Sequence, residues 1–366
     1  MGVPGELQAP PNSLPGLQSP VPAPARRRPS VRLAALLTVA IVGVIGVIYG
    51  AGNGARRTAS DDSAAPSPPP ARAVTPAAPA APPALVARPA GSLPAPVQAP
   101  AAAPVAGDRF LLIGGLDSSF ASASGVVLAG GAGAAREVGR LPIAVHDAAA
   151  ARAPSGAYFF GGGEPSKDAI LEVTAGGRVR EAGTLPEPAS DVAAAAVGGS
   201  YYVVGGYTGT QPLDTIVEWH PGGKARVVGH MPVALRYAAV AAAGGKVLIA
   251  GGSVDTTASR SVYVFDPAAA TVRRIARLPR PLTHASAATL GDTVYVIGGR
   301  GAAQGTQTRR ILAIDPGSGR VRKAGRLPRG LSDAGVAAVP GAILLAGGRD
   351  AAGRPRSEVL RLEPRR

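Results

Sequence analysis

The chain has 366 residues, room for two or three average domains or for one closed repeat fold that uses most of the length. It has no cysteine, which excludes a disulfide framework, a thiolate metal site and a cysteine nucleophile. The formal charge is +15, yet 34 of the 38 basic residues are arginine in a chain crowded with Ala, Gly and Pro. The 14 aromatic residues do not interleave with the basic ones as a base-stacking surface would require, so composition gives no case for nucleic acid.

Residues 1–30 are rich in Pro, Gly, Ser and Gln and bury too little apolar surface to order themselves, which reads as a disordered tail. A charge-free apolar run follows at 33–55, preceded by Arg26, Arg27, Arg28 and Arg32 and followed by Arg56, Arg57, Asp61 and Asp62. About 20 apolar residues cross a bilayer as a helix, so 31–55 is predicted as a transmembrane signal anchor, with the N-terminus cytoplasmic and the remainder outside. A cleaved secretory signal ending in the small residues 50–55 is the alternative, and the long region ahead of the run argues for the anchor. Residues 56–83 read as a Pro/Ala-rich, semi-extended linker.

From residue 84 onward the chain repeats itself. An apolar run ending in Gly-Gly occurs six times, at Gly115, Gly162, Gly206, Gly252, Gly299 and Gly348, with intervals of 47, 44, 46, 47 and 49 residues. A period near 45 with one diglycine per unit is the pattern of a radial array of small antiparallel sheets. The fourth repeat shows the unit. A small-residue strand near 237–243 precedes the run that ends at Gly252, the third strand is SVYVFDP, and the fourth, TVRRIARLP, ends at Pro279. Only Ala and Val fit the first strand, because the innermost strands crowd around an axis. The sixth repeat stops after its third strand, at Pro364, whereas 84–93 reads as a spare fourth strand with its own Leu-Pro ending. The expectation is therefore a six-bladed β-propeller over 84–366, of four-stranded antiparallel blades, its last blade completed by strand 84–93 so that no edge stays open.

The apolar strand, Gly-Gly, polar loop, a strand ending in FDP at Pro267 or IDP at Pro316, and a strand ending in Leu-Pro together resemble the kelch repeat. Tyr202 and Tyr295 fit the tyrosine common in such units, but Trp219 falls in a third strand where the family places its tryptophan in the fourth. The resemblance implies a platform that binds a protein or glycan on the face made by the second-to-third-strand loops and the turns into the first strand. A minority of the family are enzymes. Of these, copper-radical oxidases resembling galactose oxidase need a cysteine that this chain lacks, and sugar mutarotases remain the alternative.

No cofactor and no metal are expected, since His146, His220, His230 and His284 are scattered over the repeats without short ligand spacing. Five and six residues past each Leu-Pro or Met-Pro leucine or methionine stand Gln98 and Ala99, His146 and Asp147, Ser190 and Asp191, Arg236 and Tyr237, Thr283 and His284, and Ser332 and Asp333. These pairs precede the small-residue strands, where the chain enters the centre, so His146, Asp147, Asp191, Arg236, Tyr237, His284 and Asp333 are candidate ligand contacts. The alternative is that they hydrogen-bond their own turns. Tyr237, His284 and Asp333 would also be the catalytic set of a mutarotase-like enzyme. Arg260, Arg300 and Arg349, in the loops of the last three repeats, add charge for an acidic partner or a carboxylate.

Overall fold

Runs of β-branched and aromatic residues bounded by Gly-Gly on one side and Asp-Pro or Leu-Pro on the other leave strands as the only regular element. A computed structural model describes residues 82–122, 126–131 and 133–365, and these form β-strands with no α-helix. The tail, the apolar run and nearly all of the linker read from the sequence lie outside the described residues. Among the described residues no helix is long and apolar enough to cross a membrane.

The fourth repeat folds as an antiparallel sheet of Ala239–Ala243, Lys246–Ala250, Ser261–Asp266 and Thr271–Arg277. The first three repeats make three more four-stranded blades of the same order, opening at Ala101–Pro104, Ala149–Arg152 and Ala193–Val197. The molecule is thus a β-propeller of antiparallel four-stranded blades.

The last two repeats share one nine-stranded sheet. In it, Leu85–Val97 pairs antiparallel with Arg356–Pro364, from Leu85 opposite Pro364 to Val97 opposite Arg356. The same strand touches Val321–Arg326 only through Leu85 opposite Gly325 and Val86 opposite Arg326, in parallel.

Inner strands are built from alanine because they converge on a central channel of about 420 Å³, lined by Ala102, Ala150, Ala194, Ala241, Ala288 and Ala338 among others. The second strands are the opposite case: Val247, Leu248, Ile249 and Ala250 are all fully buried. Six apolar clusters lie between successive repeats, and the one that joins last to first packs Leu344 and Ala337 against Val97, Phe110 and Leu112. Each buried Leu, Ile, Val or Phe in them contributes roughly 1.5–3 kcal/mol. Trp219 has its own role, filling the gap between the second and third blades with its ring 4.8 Å from that of Tyr158, edge to face.

The diglycines are interface residues. The N–H of Gly252 donates to the carbonyl of Leu282 in the next repeat at 2.9 Å, and a Cβ on Gly251 would run into that same oxygen. Gly251 also has φ +66°, a conformation that favours glycine. The pattern recurs in every repeat and ends with Gly348 donating to Val97 on the N-terminal strand at 2.8 Å.

Candidate functional site

The Leu-Pro that ends each outer strand turns the chain toward the axis, and the two residues ahead of each inner strand then have different tasks. The first residue of each pair bridges to the residue after its own repeat's diglycine, as Gln98 does to Leu116, Ser190 to Tyr207 and Thr283 to Arg300. The second residue has positive φ in all six repeats: Ala99 at 53°, Asp147 at 51°, Asp191 at 58°, Tyr237 at 54°, His284 at 53° and Asp333 at 57°.

This left-handed conformation turns each N–H toward the carbonyl of the matching residue one repeat earlier. Asp147 donates to Ala99, Asp191 to Asp147, Tyr237 to Asp191, His284 to Tyr237 and Asp333 to His284, at 2.7–3.2 Å. Ala99 closes the circuit by donating to Asp333 at 2.8 Å. Among the described residues no side chain of this ring hydrogen-bonds the backbone of its own turn, although Asp333 accepts from Ser332 Oγ at 2.5 Å and His284 Nδ1 lies 3.0 Å from Thr283 Oγ1. The ring's side chains surround a cavity of about 120 Å³ on the axis and a second of about 140 Å³ just above it, which Arg300, Arg349, Phe120 and Gln304 also line.

Charge is distributed unevenly around this mouth. Arg236 pairs with Asp191, donates from Nη2 to Tyr237 Oη at 3.2 Å and lies 4.0 Å above the ring of Tyr207. Burial alone would lower the pKa of Arg236, but Asp191 and Tyr237 outweigh it and raise it. Tyr237 stacks on His284 with centroids 3.8 Å apart, and burial followed by the charges of Asp147 and Asp191 pushes its phenol far above the ordinary range. Burial also raises Asp147 well above the usual carboxylate range, helped by Asp191 and Asp333, and raises Asp191 despite Arg236. Asp333 is pushed up to about 6 by burial, against the pull of Ser332, Arg300 and Arg349.

His284 is held neutral, its pKa lowered to about 3 by burial and by Arg300, Arg236 and Arg349. Arg300 Nη2 can only donate, so His284 Nε2, 3.1 Å away, accepts, and its proton sits on Nδ1 beside Thr283 Oγ1 at 3.0 Å. The mouth therefore offers a phenol, a neutral imidazole, two guanidiniums near Asp333 and carboxyls of graded charge.

Placement of the remaining sequence candidates is mixed. His146 points at Ser122, with Nδ1 2.9 Å from the hydroxyl, and its Nε2 is 3.7 Å from Asp147. Arg349 stacks over Phe120 at 4.9 Å. Arg260 does not line either mouth cavity, because its Nε is spent on the carbonyl of Leu278 at 2.8 Å, tying an outer strand down. Sequence reasoning missed Tyr207, Phe120 and Gln304. The signal for Tyr207 was its place one residue past a diglycine, the register that also holds Arg300 and Arg349. Among the described residues no His, Asp and Glu cluster could hold a metal ion.

Comparison with known proteins agrees with this architecture. The Kelch motif family matches residues 234–279, the unit formed by the turn at Arg236 and the whole fourth sheet. The solved structure titled "Structure of YjhT" superposes with a TM-score of 0.62 at 15% identity, covering 73% of this chain and 95% of that one. No curated protein matches the chain. The chain is a β-propeller that carries a Kelch motif at residues 234–279.

Proposed function

We propose that this protein is a binding platform, a six-bladed propeller displayed outside the cytoplasm on a single membrane anchor, whose mouth receives the tip of a protein or glycan ligand. The blade number rests on the six apolar clusters and the six-membered ring of backbone hydrogen bonds. On this reading the nine-stranded sheet is two blades touching edge to edge, with strand 84–93 in the last. Residues 1–30 are then a cytoplasmic tail, 31–55 the membrane span, 56–83 a linker and 84–366 the propeller.

The observation that carries the binding role is the convergence of Asp147, Asp191, Tyr237, His284, Asp333, Arg300 and Arg349 on one small cavity of about 140 Å³ or its neighbour on the axis. Whole small-molecule pockets run about 300–1,000 Å³, so this one suits a terminal sugar or a projecting polar side chain of something larger. A mutarotase-like reading has one observation in its favour, Asp333 near 6, but His284 is neutral, occupied by Arg300 and 3.9 Å from Asp333. That geometry serves recognition better than proton transfer.

The test is a thermal-shift screen of the full-length protein against mono- and oligosaccharides. A ligand at a hundredfold excess over Kd stabilises the folded state by roughly 2.7 kcal/mol, well within detection. The expected result is a glycan whose shift disappears in His284→Ala. A shift that survives this change would remove the mouth from the reading, and a screen without any shift would remove the glycan. Resistance of the full-length protein to alkaline extraction from membranes tests the anchor separately.

A further inference from the structure

A larger cleft lies beside the mouth, between the fourth and fifth repeats. It has a volume of about 710 Å³ and is lined by Arg280, Arg300, Arg309, Arg310 and Arg326, with no carboxylate among its lining residues. We propose that this cleft is a second binding site, for a small molecule carrying a multivalent oxyanion, a phosphate or sulfate ester.

Charge distribution is the first support. Residues 256–330 carry 13 Lys and Arg against Asp266, Asp292 and Asp315, whereas 91–255 carry 11 against 13 acids. Arginine-rich composition explains the choice of Arg over Lys but not the excess of cations over acids in this stretch.

The second support is that the cations are unmatched. Arg310 and Arg326 stand directly opposite each other in the strand register, where like charges destabilise a sheet. Neither they nor Arg280 has an ion pair or a side-chain hydrogen bond to any described residue, whereas Arg309 has only a backbone carbonyl, that of Leu327. Arg300 turns its Nη atoms to backbone carbonyls and His284, and its buried Nε has no partner; the buried Gln307 Oε1 on the same wall has none either. A guanidinium pair with free forks matches the geometry of phosphate and sulfate, which would bridge Arg310 and Arg326 and relieve their repulsion. The volume leaves room for the organic body of an ester, which a bare ion would not need.

The cleft shares Arg300 with the mouth, but Arg310 and Arg326 lie outside both mouth cavities, so changes there test the cleft separately. The experiment compares melting temperatures of the full-length protein in inorganic phosphate, sulfate, a sugar phosphate and chloride, at equal ionic strength, for wild type, Arg310→Gln and Arg326→Glu. Phosphate, sulfate and the sugar phosphate should each raise the wild-type value beyond chloride, the sugar phosphate most. Arg310→Gln should weaken phosphate by about tenfold, the loss expected for one charged hydrogen-bond pair. Arg326→Glu places a carboxylate opposite Arg310, so it should raise stability in chloride and abolish the response to phosphate. A wild-type response no larger than in chloride, or a phosphate response unchanged in both variants, would overturn the proposal; a larger response to inorganic phosphate than to the sugar phosphate would overturn the ester.

Discussion

Two rings of backbone hydrogen bonds encircle the axis, one made by the second glycine of each diglycine and one by the residue ahead of each inner strand. Both link each repeat to its neighbour, and both close between the last repeat and the N-terminal segment, through Val97 in one and Ala99 in the other. In the first ring every position is glycine, because each has positive φ and a Cβ there would run into the turn carbonyl and side chains of its own repeat, while the glycine just before it faces the carbonyl of the next repeat. In the second the residues are Ala, Asp, Asp, Tyr, His and Asp, all with positive φ. Holding a non-glycine residue there costs roughly 1–2 kcal/mol, and each ring hydrogen bond returns about 0.5–1.5. The lesson is that the first ring constrains side chains by volume, whereas the second constrains only the backbone and leaves side chains free to meet a ligand.

Breaking the first ring should have the largest effect. Gly251→Val forces a branched side chain onto the Leu282 carbonyl at φ +66°, and a loss of about 4 kcal/mol or outright failure to fold is expected in chemical denaturation. The second ring should respond in the other direction. Because folding raises the pKa of Asp333, the folded state holds that proton more tightly than the unfolded chain does. The penalty for ionising it is complete above about pH 6 and fades as pH falls to the ordinary carboxylate range. Asp333→Asn, which keeps a side chain tolerant of positive φ, should therefore gain about 3 kcal/mol near pH 8, with the gain vanishing near pH 4. Denaturation midpoints across that range check the sign.

A smaller change sharpens the contrast. Tyr237→Phe removes the hydroxyl that Arg236 donates to but keeps the stack on His284, so stability should move by less than about 1.5 kcal/mol. If the mouth is the binding site, glycan affinity should fall far more than stability, as paired calorimetry and melting curves would reveal.

The first ring was legible in the sequence because its requirement is absolute: only glycine fits, so Gly115, Gly162, Gly206, Gly252, Gly299 and Gly348 stand out at a regular interval. The N-terminal strand was legible for a related reason, a Leu-Pro ending in front of the first repeat with no strand to pair with nearby. The second ring was only half legible. Its column of residues could be counted from each Leu-Pro, but its conformation could not, since Asp and His tolerate positive φ while Tyr237 and Ala99 give no such sign. Its hydrogen bonds join residues some 45 positions apart, beyond the reach of local pattern. Contacts such as Arg236 on Tyr207 and Arg300 on His284 depend on how loops fold back over the mouth.

The most direct measurement is the melting temperature, at neutral pH, of the full-length protein with Asp147, Tyr237, His284 and Asp333 all replaced by Asn. Asn keeps positive φ and the backbone ring while erasing the side chains that line the mouth. If those side chains exist for a ligand, the variant should melt at or above the wild-type temperature, as binding sites built from buried charge commonly do when neutralised. A melting temperature lowered by about 10 °C or more, well over 1 kcal/mol for a domain of this size, would mean that the side chains hold the ring together and that the mouth is structure rather than site.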